Sequence, residues 1–289
     1  MDLFQLLLTG IAQGCIYGLI ALGFVLIYKA TEMVNFAQGD LMMVGAFVAF
    51  TLISTIGLPY WIGLLAAMAI MALGGYLIEV VALRPIIGQP QFAVVILTIS
   101  LGFVLRAAAG MIWGHNPVSF QTPFSGGVLR LGEAIISHEY LAIIVGTILL
   151  CAILYLFFRY TRLGIAMQAA SQNQLAAYYM GVPVKVIFSM IWAISAAVAA
   201  VAGVLMAPVA LVETQMGFLG IKAFAAAVIG GFGSLPGALI GGLIVGIGEQ
   251  LAGGYLPGGF KETAAYLIML AMLTLRPQGL FAQIQRKKV

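Results

Sequence analysis

Three polar side chains, Asn35, Gln38 and Asp40, fall within six residues just ahead of an apolar run. Such groups could line a path for a small polar solute, offering hydrogen bonds that a hydrocarbon wall cannot. They could equally start a helix, with Asn35 or Asp40 covering free backbone N–H groups. Other residues able to do chemistry are sparse. Arg106 stands seven residues before Trp113, about 10 Å along a helix. That is close enough to snorkel to a membrane surface; the other reading is a buried functional arginine. Glu79 and Arg84 sit near the end of a further apolar run, where Arg84 can reach headgroups. His115 and His138 share a polar loop with Arg130 and Glu133, but no compact ligand set accompanies them. Cys15 and Cys151 lie in apolar runs and imply neither a metal site nor a disulfide. Asp40, Glu79 and Glu249 are spread over separate segments without a Ser/His/Asp or metal motif, which argues against an intramembrane enzyme. The chain has no Gly-x-x-x-x-Gly-Lys-Ser/Thr stretch, so any ATP hydrolysis must come from other chains.

The elements that must position these residues are apolar helices. Of the 289 residues, 63% are hydrophobic and 8% charged, and the mean hydropathy is +1.13. Soluble domains carry about 25% charged residues, so the chain reads as an all-α polytopic membrane protein. The net charge of +4 comes mostly from residues near span ends, which speaks of orientation rather than of nucleic acid. About seven full spans are expected: Leu3–Tyr28, Leu41–Ile56, Tyr60–Val81, Phe92–Trp113, Tyr140–Phe158, Val186–Val209 and Thr263–Leu275. Gly10, Gly14 and Gly18 recur every fourth residue in the first, a spacing that permits close helix contact. Between the last two spans, Ile221–Ala252 reads as two short apolar halves around a break containing Gly230, Gly231, Gly233, Ser234, Pro236 and Gly237. Eight to nine helices would then be counted. Broken helices survive in a membrane only where freed backbone meets protein or a wet cavity. Ser234 and the freed carbonyls are therefore expected at a cavity or a partner chain. The hairpin is either a moving element beside a path or a static packing device.

The stretch Arg162–Lys185 separates two spans without reading as one, because Ser171-Gln172-Asn173-Gln174 is polar. Ala166, Ala169, Asn173, Ala176, Ala177 and Met180 recur at three- and four-residue spacing, giving a narrow small-residue face on a helix. The polar patch at 171–174 can divide it into two short helices. Gly181 and Pro183 form a stop. Such a face suits docking on another protein; the alternative is an amphipathic helix resting on lipid.

The run Arg162-Leu163-Gly164-x-Ala166-x-x-Ala169-x-x-x-Asn173-x-x-Ala176-Ala177-x-x-x-Gly181-Val182 resembles the coupling loop of bacterial ABC-importer permeases. More narrowly, it resembles the branched-chain amino acid permease family in the form of its H-type subunit. The segment Asn35-Phe36-Ala37-x-Gly39-Asp40 is similar to a signature of the same family, as are Val81–Pro85, the run Gly230–Gly242, and Arg276–Phe281. Ile165, Gln168 and Gln174 stand where relatives often carry basic residues, and Gln172 where they often carry an acid.

The resemblance implies one transmembrane permease domain over 1–289 with a type II ABC-importer-like fold and a cytoplasmic coupling loop at 162–185. It implies two ATPase subunits using ATP and Mg, no cofactor in this chain, a second related permease in a heterodimer, and a periplasmic binding protein. Leucine, isoleucine or valine is the implied cargo; relatives import other small amino acids, urea or short amides. The implied ATPase-coupling residues are Arg162, Gly164, Ala166, Ala169, Asn173, Ala176, Ala177 and Gly181. Asn35, Gln38 and Asp40 are the pathway candidates.

Charge gives the orientation independently. With the N-terminus outside and 221–252 entering and returning, Lys29, Arg84, Arg159, Arg162, Lys185, Arg276, Arg286, Lys287 and Lys288 fall in the cytoplasm. Arg130, Lys222 and Lys261 are left outside. An ion-coupled carrier or channel for a small polar solute is the second function class, since broken helices and an intramembrane arginine suit it too.

Overall fold

The computed structural model describes residues 3–86, 89–131 and 134–281. Glu133, Arg286, Lys287 and Lys288 lie outside them, as does the side chain of Arg130. The helices are α1 (Leu3–Thr31), α2 (Gln38–Phe50), α3 (Tyr60–Ile78), α4 (Gln91–Trp113), α5 (His138–Tyr160), α6 (Arg162–Gln172), α7 (Gln174–Tyr179), α8 (Val184–Met206), α9 (Leu219–Gly230), α10 (Leu235–Tyr255) and α11 (Phe260–Leu275). A π-helical turn extends α2 over Thr51–Thr55, and another extends α3 over Glu79–Leu83. A 3-10 turn, Thr214–Phe218, leads into α9. The loop before α5 holds a short antiparallel pair, β1 (Val128–Leu131) and β2 (Ala134–Ser137). Its neighbour segment is tied down by a bridge between Val118 and Val212. Among the described residues the fold is all-α apart from these short pairings.

Among the described residues, seven helices are long and apolar enough to cross a membrane: α1, α2 with its extension, α3, α4, α5, α8 and α10. The expectation of two short halves over 221–252 is corrected. The first half is short, at 12 residues, but α10 runs unbroken for 21. Its start explains why: Ser234 Oγ accepts a hydrogen bond from Gly237 N, and Pro236 sits in the first turn, where its missing N–H costs nothing. The full span expected over Thr263–Leu275 is corrected too: α11 is 16 residues long and is not one of the seven, whose last member is α10.

The helices form a core and a rim. In its most apolar window α1 is 89% buried and α8 72%, against 22% for α3 and for α4. α1 is therefore central and packs most extensively on α10. The glycine spacing decides that contact: a Cβ at Gly14 would lie 2.7 Å from the Leu243 backbone. Small residues let the two helices approach to backbone contact, where dispersion replaces the hydrophobic drive that lipid cannot supply. The rim helices turn Leu65, Leu73, Phe92, Ile112, Ile148 and Leu149 outward, a surface for lipid or a second membrane chain.

Candidate functional site: a charged pair in an aromatic cleft, and a helix pair at one end

The polar residues at the start of α2 do different jobs. Asn35 Oδ1 accepts a hydrogen bond from Ala37 N, shaping the turn that starts the helix, and Asn35 Nδ2 donates to Gln38 Oε1. α2 itself has Ala37 at its cap position and no side-chain cap. Gln38 Nε2 donates to the Ser195 carbonyl, while Ser195 Oγ bonds both Gln38 Oε1 and the Gly23 carbonyl. Asn35 and Gln38 are wholly buried in this network. It joins α1, α2 and α8 and satisfies polar groups that would otherwise be costly in the core.

Asp40 belongs elsewhere. Arg106 Nε and Nη2 both donate to its Oδ1, at 3.2 and 2.8 Å. The snorkelling expectation for Arg106 is thereby overturned: an anion on α2 holds the guanidinium inside, and leaving that anion unpaired would cost more than the reach to water gains. The guanidinium also lies 3.9 Å above the Phe218 ring centroid, a cation–π arrangement. Gly102 and Gly217 wall the carboxylate, and a Cβ at either would collide with it. Beside the pair opens a cleft of about 290 Å³ lined by Phe24, Phe36, Phe103, Phe218 and Phe224 together with Ile99 and Ile221. A mostly apolar cleft with few convergent polar groups has the composition of a small-molecule site. Arg106, Gly217 and Phe218 were not foreseen as site residues; Arg106 alone carried a signal, as a charge far from a span end.

Two further polar clusters complete the interior. Glu79, in its π-helical turn, pairs with Arg84 at 3.1 Å, and both engage Ser189 of α8. Arg84 thus turns inward to α8 instead of only reaching headgroups. Near the opposite end, Tyr17 O–H donates to Glu249 Oε2 at 2.7 Å. Lys222 lies 2.8 Å from Glu249 Oε1 and 2.8 Å from Glu262 Oε2.

The stretch 162–185 folds as the helix pair α6–α7. Thr161 Oγ1 accepts from Gly164 N to start α6. Asn173 ends α6 and starts α7 through Oδ1 and Ala176 N at 2.9 Å. Gly181, with φ of 83°, provides the left-handed stop. The small face is divided. Gly164 and Ala177 are buried with Met167 and Ala170 against the bundle, Ala166 is half-buried, and Arg162, Ala169, Asn173, Ala176 and Gly181 are exposed. The outward surface is apolar instead, with Leu175, Tyr178, Tyr179 and Met180 each at least 67% exposed. Gln168 donates to the Phe158 carbonyl and Gln174 to the Ala30 carbonyl, so two of the glutamines anchor the pair to α5 and α1.

The glycine break lies at the same end. Gly231 and Gly233 share a cleft of about 640 Å³ with Lys29, Glu32, Gln168 and Ser171. Gly231 has φ of 94°, which a side chain would strain. Gly230 and Gly237 are buried against each other's backbone, and Pro236 is exposed. Two of the freed carbonyls are taken within the chain: Leu280 N donates to Ile229 O and Phe281 N to Gly230 O, while the break itself lines the cleft. Ser234 is likewise used within the chain, as the cap of α10.

The sequence profile described as branched-chain amino acid transport system / permease component matches residues 6–275. The high-affinity branched-chain amino acid transport system permease protein LivH of Escherichia coli strain K12 is 32% identical over 299 residues, covering 99% of this chain and 97% of that one. The corresponding permease protein BraD of Pseudomonas aeruginosa is 33% identical with the same coverage. Among solved structures, PsaBC from Streptococcus pneumoniae in complex with Fab aligns at a TM-score of 0.49 and 14% identity, over 96% of this chain and 93% of that one. The sequence matches, each spanning nearly the whole chain, decide the assignment: this chain belongs to the branched-chain amino acid transport permease family.

Proposed function

We propose that the chain is the membrane-spanning permease of an ATP-driven importer for branched-chain or related small amino acids, coupled to separate ATPase subunits through α6–α7. The observation that carries this reading is the placement of α6–α7. Lys29, Arg84, Arg159, Arg162, Lys185 and Arg276 all belong to helix ends on the side of the bundle that bears this pair. Lys222 and Lys261 belong to the other. Positive residues concentrate on the cytoplasmic side of membrane proteins, so α6–α7 faces the cytoplasm, the N-terminus lies outside and the C-terminus inside. There it presents a capped surface on which Leu175, Tyr178, Tyr179 and Met180 are exposed. An ATPase groove would cover Leu175, Tyr178, Tyr179 and Met180. The relatives' names support an amino acid as cargo, and the family reading supplies a second permease and a periplasmic binding protein as partners, in an inner membrane.

The test is the purified complex with its ATPase, partner-permease and binding-protein subunits, assayed for substrate-stimulated ATP hydrolysis. Leucine, isoleucine and valine should stimulate it, and Ala169→Trp, on the exposed side of α6, should remove stimulation and lower co-purification of the ATPase. Stimulation by urea or a short amide alone would overturn the cargo. Uptake by the isolated chain on an ion gradient would overturn ATP drive.

A further inference from the structure

We propose that Asp40, Arg106 and the phenylalanine-lined cleft beside them form a transit site for an amino acid zwitterion, with the carboxylate taken by Arg106, the ammonium by Asp40 and the apolar side chain by the rings. This deepens the importer reading and rests on it.

The pair is arranged differently from a closed structural brace. Both Arg106 bonds go to one carboxylate oxygen, through Nε and Nη2, which leaves Nη1 outside the pair. Both side chains line the cleft, and Arg106 keeps 19% of its exposure against 7% for Asp40. Asp40 lies close against Gly102 and Gly217, so the carboxylate is walled on two sides and meets the cleft together with the guanidinium.

Charge matching then selects the ligand. Separating a buried ion pair leaves two uncompensated charges, which is strongly unfavourable. A zwitterion brings one charge of each sign on neighbouring atoms. It can insert between Arg106 and Asp40 so that every charge stays paired throughout. A simple anion would leave Asp40 unpaired, a simple cation would leave Arg106 unpaired, and a sugar or urea would compensate neither. The walls select further. Phe24, Phe36, Phe103 and Phe224 offer apolar and aromatic surface without a hydrogen-bonding group, which favours an aliphatic side chain over a polar one. Phe103, Phe218 and Ile221 are exposed at the edge of this chain, so the cleft is open on a side that a second membrane chain could close.

The test uses the full complex with Cys15→Ala and Cys151→Ala, and Ile99→Cys as a reporter in the cleft wall. Maleimide labelling of Ile99→Cys is timed with leucine, with leucinol, with 4-methylpentanoate and with fructose at equal concentration. Leucine should slow labelling. Leucinol, which lacks the carboxylate, and 4-methylpentanoate, which lacks the ammonium, should not, and neither should fructose. In the Asp40→Asn/Arg106→Gln double variant, which keeps the shape and removes both charges, leucine protection should vanish. Uptake should fall at least about tenfold, the effect of one lost charge-assisted contact, while the complex assembles at normal yield. Normal uptake by the double variant, or no leucine protection in a complex that imports leucine, overturns the site and leaves the importer reading standing. A complex that imports another solute and no amino acid overturns both.

Discussion

Two buried ionic clusters in this chain differ in what surrounds them. Around Glu249, the tyrosine hydroxyl of α1 meets one carboxylate oxygen and Lys222 the other, and Lys222 continues to the exposed Glu262. Four helices are tied together, and each charge is answered within the chain. Around Arg106, two helices are joined and one face of the guanidinium borders a cleft. Both clusters remove charge from lipid and both border a cleft, but Lys222 and Glu262 meet theirs from a network spread over four helices, whereas Arg106 and Asp40 stand as a single pair beside phenylalanine walls. The contrast separates a brace from a site: a charged pair in a membrane protein points to function when it is the polar spot of an otherwise apolar cleft.

The comparison can be broken by substitutions on each side. Glu249→Ala should have the largest effect on stability, about 3 kcal/mol, because it removes the acceptor of the Tyr17 hydroxyl and leaves Lys222 only the exposed Glu262. Thermal unfolding in detergent would show it, with uptake per surviving complex unchanged. A matching loss of uptake per complex would make the brace part of the path. Gly217→Ala is next. Its Cβ would collide with Asp40 Oδ1, so displacing the carboxylate should cost about 1–3 kcal/mol and lower uptake beyond what the reduced yield explains. Tyr17→Phe removes one hydrogen bond to a charged group and should cost about 1.5–3 kcal/mol in unfolding, without changing the apparent KM for uptake. Glu262→Gln should be the smallest. Its side chain is 72% exposed, so the pair with Lys222 is worth at most about 1 kcal/mol and should fade in high salt.

Much of the bundle was legible because lipid imposes a one-dimensional code of long apolar runs separated by polar ends. The Gly10–Gly14–Gly18 spacing likewise announced a close helix contact, although not that α10 would be its partner. The divided helix pair over 162–185 followed from Asn173 and Gly181, whose cap and left-handed roles are local. The site was less visible. Asp40 was singled out with Asn35 and Gln38, yet only Asp40 reaches the cleft. Helix periodicity cannot tell which polar group faces a network and which a cavity when all are buried. Gly217 and Phe218 gave no signal at all, since their contribution is to lie against Asp40 and Arg106 from a distant turn. One small-residue face was expected on α6–α7, but the structure divides it: Ala177 turns to the bundle with Gly164, while Ala169, Asn173 and Ala176 are exposed beside Tyr178 and Tyr179.

Sequence by itself determined the membrane setting, the helix boundaries that carry local caps, the charge asymmetry between the two ends, and the family signatures. These depend on composition and on neighbours within a few residues. Tertiary structure decided that Arg106 pairs with Asp40, that Glu249 is answered by Tyr17 and Lys222, and that the C-terminal segment takes two of the carbonyls freed by the glycine break. Each is a contact between segments far apart in the chain, whose geometry is set by helix packing. A residue type can announce that a charge needs a partner; only the packed bundle determines which partner it finds and what surrounds the pair.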